Sequence, residues 1–289
     1  MKQHYLKYII ALLIFGSNGI VSSHIPCSSY EIVLLRTAIG IVMLWGIFLA
    51  TRQRTTVRAY RREFIFLSLS GVMMGLNWLF LYESYRTIGV GLGTLACYFG
   101  PVLVMVLSPV LFREKLTWPK MLGFSVAVVG MALCNGKIAA TGHSFWGLFC
   151  GAMAAVTLAL LVILNKKAPH FVGLQNTAWE MTFAFLTVAV FVGLKQGYGF
   201  VADIGSAWPW VLALGIVNTG LGCYLYFSAI PHLPVQSVSE LGYLEPLSAV
   251  VFSMIFLHEV MTPWQMLGAV CILGGAAFAE CYQARKSNV

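Results

Sequence analysis

The chain repeats itself: residues 76–133 lie over residues 221–278 without a gap. Tyr98 matches Tyr243, Pro101 matches Pro246, Glu114 matches Glu259, Thr117 matches Thr262, and Met121-Leu122-Gly123 matches Met266-Leu267-Gly268. Both copies are almost wholly apolar. The repeat unit is therefore a bundle of membrane helices, and the chain is two such bundles in tandem.

Composition sets the solvent. Charged residues make up 10% of the chain, hydrophobic residues 59%, and the mean hydropathy is +0.83. A soluble domain needs more charge than this to cover its surface, so lipid takes the place of water. The expectation is an all-α integral membrane protein with ten transmembrane helices arranged as two inverted five-helix repeats, residues 1–134 and 145–284. Apolar stretches long enough to cross a hydrocarbon core run over 5–21, 30–50, 63–86, 90–111, 118–134, 145–164, 175–194, 208–230, 235–257 and 263–281. Several connections are only a few residues long, which forces antiparallel hairpins and leaves no room for a soluble domain. The first 25 residues have the look of a signal peptide, but the duplication needs this helix as the first of its five, so it is expected to stay.

The net charge of +8 does not call for nucleic acid. With the N-terminus inside, 14 of the 18 Lys and Arg fall on the cytoplasmic side, five of them in the loop from Thr51 to Arg62. That is the positive-inside bias of a multi-pass protein in the cell membrane, with both termini cytoplasmic. An odd number of helices per unit inverts the second copy. The loop Phe112-Arg113-Glu114-Lys115-Leu116-Thr117 becomes Leu257-His258-Glu259-Val260-Met261-Thr262, keeping the acid and threonine and losing both strong cations. Seven cysteines without a CxxC pair, and six histidines without ligand spacing, indicate neither a disulfide framework nor a metal centre, and no cofactor is expected.

A tyrosine, then a proline within a helix, then a short loop with Glu and Thr, then an apolar helix with Leu-Gly resembles the repeat of the drug/metabolite transporter superfamily, specifically its EamA-type ten-helix permeases. The residues that carry the resemblance are Tyr98, Pro101, Glu114, Thr117 and Gly123 in the first copy and Tyr243, Glu245, Pro246, Glu259, Thr262 and Gly268 in the second, with Leu35-Arg36 and Asn77-Trp78 beside them. The resemblance implies secondary transport of a small molecule by alternating access, with export of amino acids as the leading expectation. Relatives also move drugs, amines, sugars and other metabolites. Two fused inverted halves imply a monomer. The rivals are a membrane enzyme, a passive channel and a membrane scaffold. No Ser/His/acid or aspartate-pair arrangement emerges for the first, and no nucleotide loop suggests ATP-driven transport.

Ionisable groups deep in lipid demand a reason. Glu240 shares a helical stripe with Gln236 and Tyr243, and is the candidate for substrate ammonium or a coupling proton, against a buried hydrogen bond as the alternative. Glu245, just before Pro246, is expected to serve helix structure. Glu83 and Arg86 suggest a surface pair, Glu180 either an interhelical bond or a cavity role, and Arg36 a cation that pairs with a carboxylate from another helix or else binds a substrate carboxylate. In proteins resembling this one the central cavity is lined by the helices that here carry Asn18, Asn77, Trp78, Tyr82, Tyr98, Asn218, Tyr224 and Tyr243, with Tyr226 also on them. Tyr85 is expected in the aromatic belt at the membrane surface. Pro101 and Pro246, at equivalent places in the two halves, are hinge candidates or static kinks.

Overall fold

The computed structural model describes residues 2–53, 55–100, 103, 118–135, 145–195, 197–199, 204–229, 232–233 and 241–287. Among them there is no strand. The first apolar stretch forms α1 (Lys2–Gly16) and α2 (Asn18–Ser23), a rod broken where the Ser17 amide is shared between the carbonyls of Leu13 and Ile14. The chain turns and enters α3 (Ser29–Ala50), whose first turn is held by the Glu31 carboxylate on the Ser28 amide at 2.7 Å. Next comes α4 (Arg61–Ile88), at 28 residues longer than the bilayer core requires.

Gly89 alone joins α4 to α5 (Val90–Cys97), at φ +88° and ψ 162°, a conformation open in practice only to glycine. Beyond α5 lie α6 (Trp118–Asn135), α7 (Phe145–Lys166) and α8 (Gly173–Lys195). The eighth stretch is one rod of three parts: α9 (Trp208–Leu212), a π-helical segment over Ala213–Leu221, and α10 (Gly222–Ala229). The chain closes with α11 (Leu244–Phe256) and α12 (Pro263–Ser287).

Among the described residues six helical spans are long and apolar enough to cross a membrane, Lys2–Ser23, Ser29–Ala50, Arg61–Ile88, Phe145–Lys166, Gly173–Lys195 and Gly205–Tyr226. Met121–Gly130 and Leu244–Phe256 are shorter apolar segments. Their outward faces carry large apolar side chains such as Val42, Leu194 and Val251, as a lipid solvent requires.

Packing between the halves is reciprocal. Counting the apolar stretches from one to ten, the third packs on the sixth (α4 on α7) and the eighth on the first (α10 on α1). The third also packs on the seventh (α4 on α8) and the eighth on the second (π segment on α3), while the fourth meets the sixth (α5 on α7) and the ninth the first (α11 on α1). Second with seventh, fourth with ninth and fifth with tenth pair with their own counterparts. Each contact therefore has its repeat-related mate.

The fifth–tenth pair shows this at atomic scale. A Cβ added to Gly130 would stand 2.6 Å from the Gly268 carbonyl oxygen, and one added to the matching Gly275 would stand 2.7 Å from that of Gly123. Small residues let these backbones touch, which in lipid supplies the association that hydrophobicity cannot. Gly71 and Gly75 do the same for α4, where added Cβ atoms would meet the Glu180 and Ala184 carbonyls at 2.6 and 2.8 Å.

A buried guanidinium in an aromatic cluster between the repeats

Arg36 sits in the middle of α3, 3% exposed. Its Nε donates to Thr219 Oγ1 at 3.1 Å and its Nη1 to the Tyr82 hydroxyl. The guanidinium lies over the Trp78 ring at 4.6 Å and that of Tyr82 at 5.3 Å. The π register explains why Thr219 is available: its hydroxyl donates to the Leu214 carbonyl five residues back, leaving a lone pair for Arg36. Desolvated cation–π contacts of this kind are worth about 2 kcal/mol, less than a buried charge costs. No carboxylate among the described residues lies within 4 Å of Arg36, so the expected ion pair with another helix is not made among them.

The acid that faces this cation is Glu245, in the first turn of α11, which accepts a hydrogen bond from the Tyr98 hydroxyl and lies close enough for its charge to interact with that of Arg36. Tyr226 belongs to the same neighbourhood and shares a hydrogen bond with Tyr8 across a ring separation of 5.2 Å. Trp78, Tyr98, Tyr226 and Glu245 stand within the bundle yet keep part of their surface accessible. They come from both halves, Trp78 and Tyr98 from α4 and the end of α5 in the first repeat, Tyr226 and Glu245 from α10 and α11 in the second.

Tyr85 is not in a surface belt. It accepts from Thr94 at 3.1 Å and packs on Tyr82 at 5.4 Å. Together Tyr82 and Tyr85 floor a cavity of about 190 Å³ that reaches Cys27, Ser29 and Arg86, on the face that the charge bias assigns to the outside.

The other sequence candidates divide. Asn77 is 4% exposed and donates to the Ala154 carbonyl at 2.7 Å, a tie from α4 to α7. Asn218 donates to Ile14 O at 2.7 Å and Ser17 Oγ at 2.9 Å, joining the π segment to the break between α1 and α2. Beside that break the Asn18 Oδ1 is buried without a partner. Tyr224 is 37% exposed and lies with Val217 and Leu221 on an exposed apolar stripe, away from the cluster.

Glu180 bonds between helices: Ser70 Oγ at 2.5 Å and Asn165 Nδ2 at 2.6 Å donate to it from α4 and α7, and Asn176 Nδ2 at 3.3 Å from its own helix. Glu83 accepts from Trp146 Nε1 at 3.3 Å and makes no ion pair with Arg86. Glu240 and Pro101 lie outside the described residues. Pro246 is the third residue of α11, in the first turn where a missing amide hydrogen costs nothing, and the chain breaks three residues earlier at Tyr243. Its counterpart Tyr98 caps the end of α5. The matched tyrosines Tyr98 and Tyr243 mark the described breaks.

Thr219 and Glu245 are the members of the cluster that sequence reasoning passed over or gave a different job. One signal was available: where the second half has Thr219 and Glu245, the first has Met74 and Gly100, so the shared fold does not require them.

A membrane-embedded bundle of two reciprocal halves around a buried cation, an acid and aromatic rings is the architecture of a multi-pass transport protein. The chain belongs to the EamA-like transporter family, which matches it twice, over residues 4–136 and 145–280. It is 27% identical over 288 residues to the uncharacterized transporter YxxF of Bacillus subtilis, covering 98% of this chain and 91% of that one. It is 26% identical over 266 residues to the threonine/homoserine exporter RhtA of Escherichia coli, covering 89% and 83%. Human solute carrier family 35 member G1 is 23% identical over 77% of this chain and 64% of its own. One crystal structure shares the fold over 100% of both chains, with a TM-score of 0.66 at 18% identity.

Proposed function

We propose that this transporter is a secondary active exporter of amino acids or closely related small metabolites, working by alternating access across the cytoplasmic membrane with both termini inside. The observation that carries the reading is the position of the Arg36 cluster, between two halves whose contacts exchange under the repeat. A site held at such an interface faces one side or the other as the halves rock, with no change in the site itself. The similarity to a threonine/homoserine exporter supports both the substrate class and the direction.

Trp78, Tyr82 and Tyr98 are the aromatic wall in this reading, and Asn18, at the start of α2, has a buried side-chain oxygen with no partner among the described residues. Reconstitution tests it. Vesicles preloaded with unlabelled amino acid should accumulate labelled amino acid by saturable counterflow, and Trp78→Ala should raise the half-saturation concentration about tenfold. Flux that never saturates would mean a channel. Absence of flux for every solute class would leave a scaffold. Glu240 is the acid proposed to carry a coupling proton, and a Glu240→Gln protein with unchanged pH dependence of transport removes it from that role.

A further inference from the structure

Arg36 and Glu245 are opposite charges on different helices that lie within range of one another without forming an ion pair. Among the described residues each is held by neutral groups: Arg36 by the hydroxyls of Thr219 and Tyr82 and the faces of two rings, and Glu245 by the hydroxyl of Tyr98. Hydroxyls orient a charge but do not cancel it. Two such groups free to move would close into a salt bridge, since an uncompensated ion in a low-dielectric interior costs several kcal/mol. Arg36 is prevented by its clamp. Nε and Nη1 are fixed by residues from two different helices, and the planar fork stacks on Trp78. Its Nη2 has no bond to a described residue and is not among the sealed, unpartnered atoms, so its donors are left for another acceptor.

We infer that Arg36 and Glu245 are the two poles of a zwitterion-binding site, in which Nη2 of Arg36 takes the α-carboxylate of an amino acid and the Glu245 carboxylate takes its α-ammonium. The inference rests on the transport reading above and gives it a head-group rule. A zwitterion satisfies both poles at once, whereas an amine or a carboxylic acid leaves one pole unpaired, and an unpaired buried charge is a strong penalty. The side chain of the ligand is left to the aromatic wall. The site therefore selects the head group strictly and the side chain loosely.

The test is binding by the full chain purified in detergent, measured by calorimetry with L-threonine and L-phenylalanine, their methyl esters and their N-acetyl derivatives. In the wild type, esterification or acetylation should each weaken binding at least tenfold. Arg36→Gln should bind acid and ester equally while still rejecting the N-acetyl compound, and Glu245→Gln should do the reverse. A protein that merely misfolds cannot produce that crossover. Wild-type indifference to both modifications, or equal loss of all ligands in both variants while melting is unchanged, overturns the inference. If saturable amino-acid counterflow persists in that case, the transport reading stands without it. If the wild type neither binds nor exchanges either amino acid, both fall.

Discussion

At the scale of single residues, the polar groups of this bundle do two different jobs, and their partners separate them. Glu180 and Asn77 are both buried, and both make short bonds to neighbouring helices. Such groups hold helices in register. Arg36 is just as buried, yet part of its fork is unused. The distinction predicts opposite behaviour on substitution. Glu180→Ala strands the donors of Ser70, Asn165 and Asn176 and should cost about 3 kcal/mol, with Glu180→Gln, which keeps an acceptor, costing about half as much. Thermal melting in detergent measures this, and the substrate affinity of surviving protein should not move. Altered affinity with unaltered melting would instead place Glu180 on the transport path. This division was only half legible in the sequence. That an intramembrane acid or arginine needs a reason follows from its cost in lipid, but whether the reason is a neighbour or a ligand depends on distances between helices that no single helix encodes.

At the scale of elements, the connections carry the mechanics. Gly89 is the whole link between α4 and α5, and the Glu259 carboxylate, from the loop before α12, closes over it. It accepts the Val90 amide at 2.6 Å and the Gly91 amide at 3.0 Å, at the positive end of α5. A Cβ on Gly89 would stand 2.8 Å from Glu259 Oε1. Both the backbone conformation and the clearance thus require glycine, and Gly89→Ala should cost about 1–3 kcal/mol, read as a lower melting temperature. Glu259 belongs to the second half and α5 to the first, so the cap also fastens one half to the other at the face assigned to the outside. Opening that face must break it. Glu259→Ala should therefore raise the rate at which a maleimide labels Cys27, which borders the cavity on that face, by severalfold in a background lacking the other cysteines. An unchanged rate would show that the cap holds α5 alone. In the sequence Glu114 and Glu259 stand out as a repeated acid near a threonine, and the loop position is plain. The backbone amides that Glu259 receives lie far away in the chain, in residues chosen for smallness, and nothing in their side chains announces them.

At the scale of the molecule, the duplication made the most visible prediction. Apolar length marked the six described spans, and the gapless repeat paired helices of one half with those of the other, because a helix that buries one face against a partner constrains sequence along its whole length. What did not show was the interruption of those spans: the break at Ser17, the π segment over Ala213–Leu221 and the stops at Tyr98 and Tyr243 occur in apolar sequence whose periodicity continues across them. In lipid an interrupted helix survives only where neighbours satisfy the freed backbone groups, as Asn218 does for Ile14. The reciprocity of the halves has a consequence for energetics. Gly130 faces the Gly268 carbonyl as Gly275 faces that of Gly123, so a methyl-sized intrusion at either glycine meets the same backbone from the same direction. Gly130→Val and Gly275→Val should each cost about 1–3 kcal/mol, and by amounts equal within about 0.5 kcal/mol, although the two residues lie in opposite halves. Paired melting curves in detergent decide it. If one substitution is harmless and the other disabling, the fifth and tenth helices are not exchanged by the repeat, and alternation between the two faces would have to be driven by one half alone.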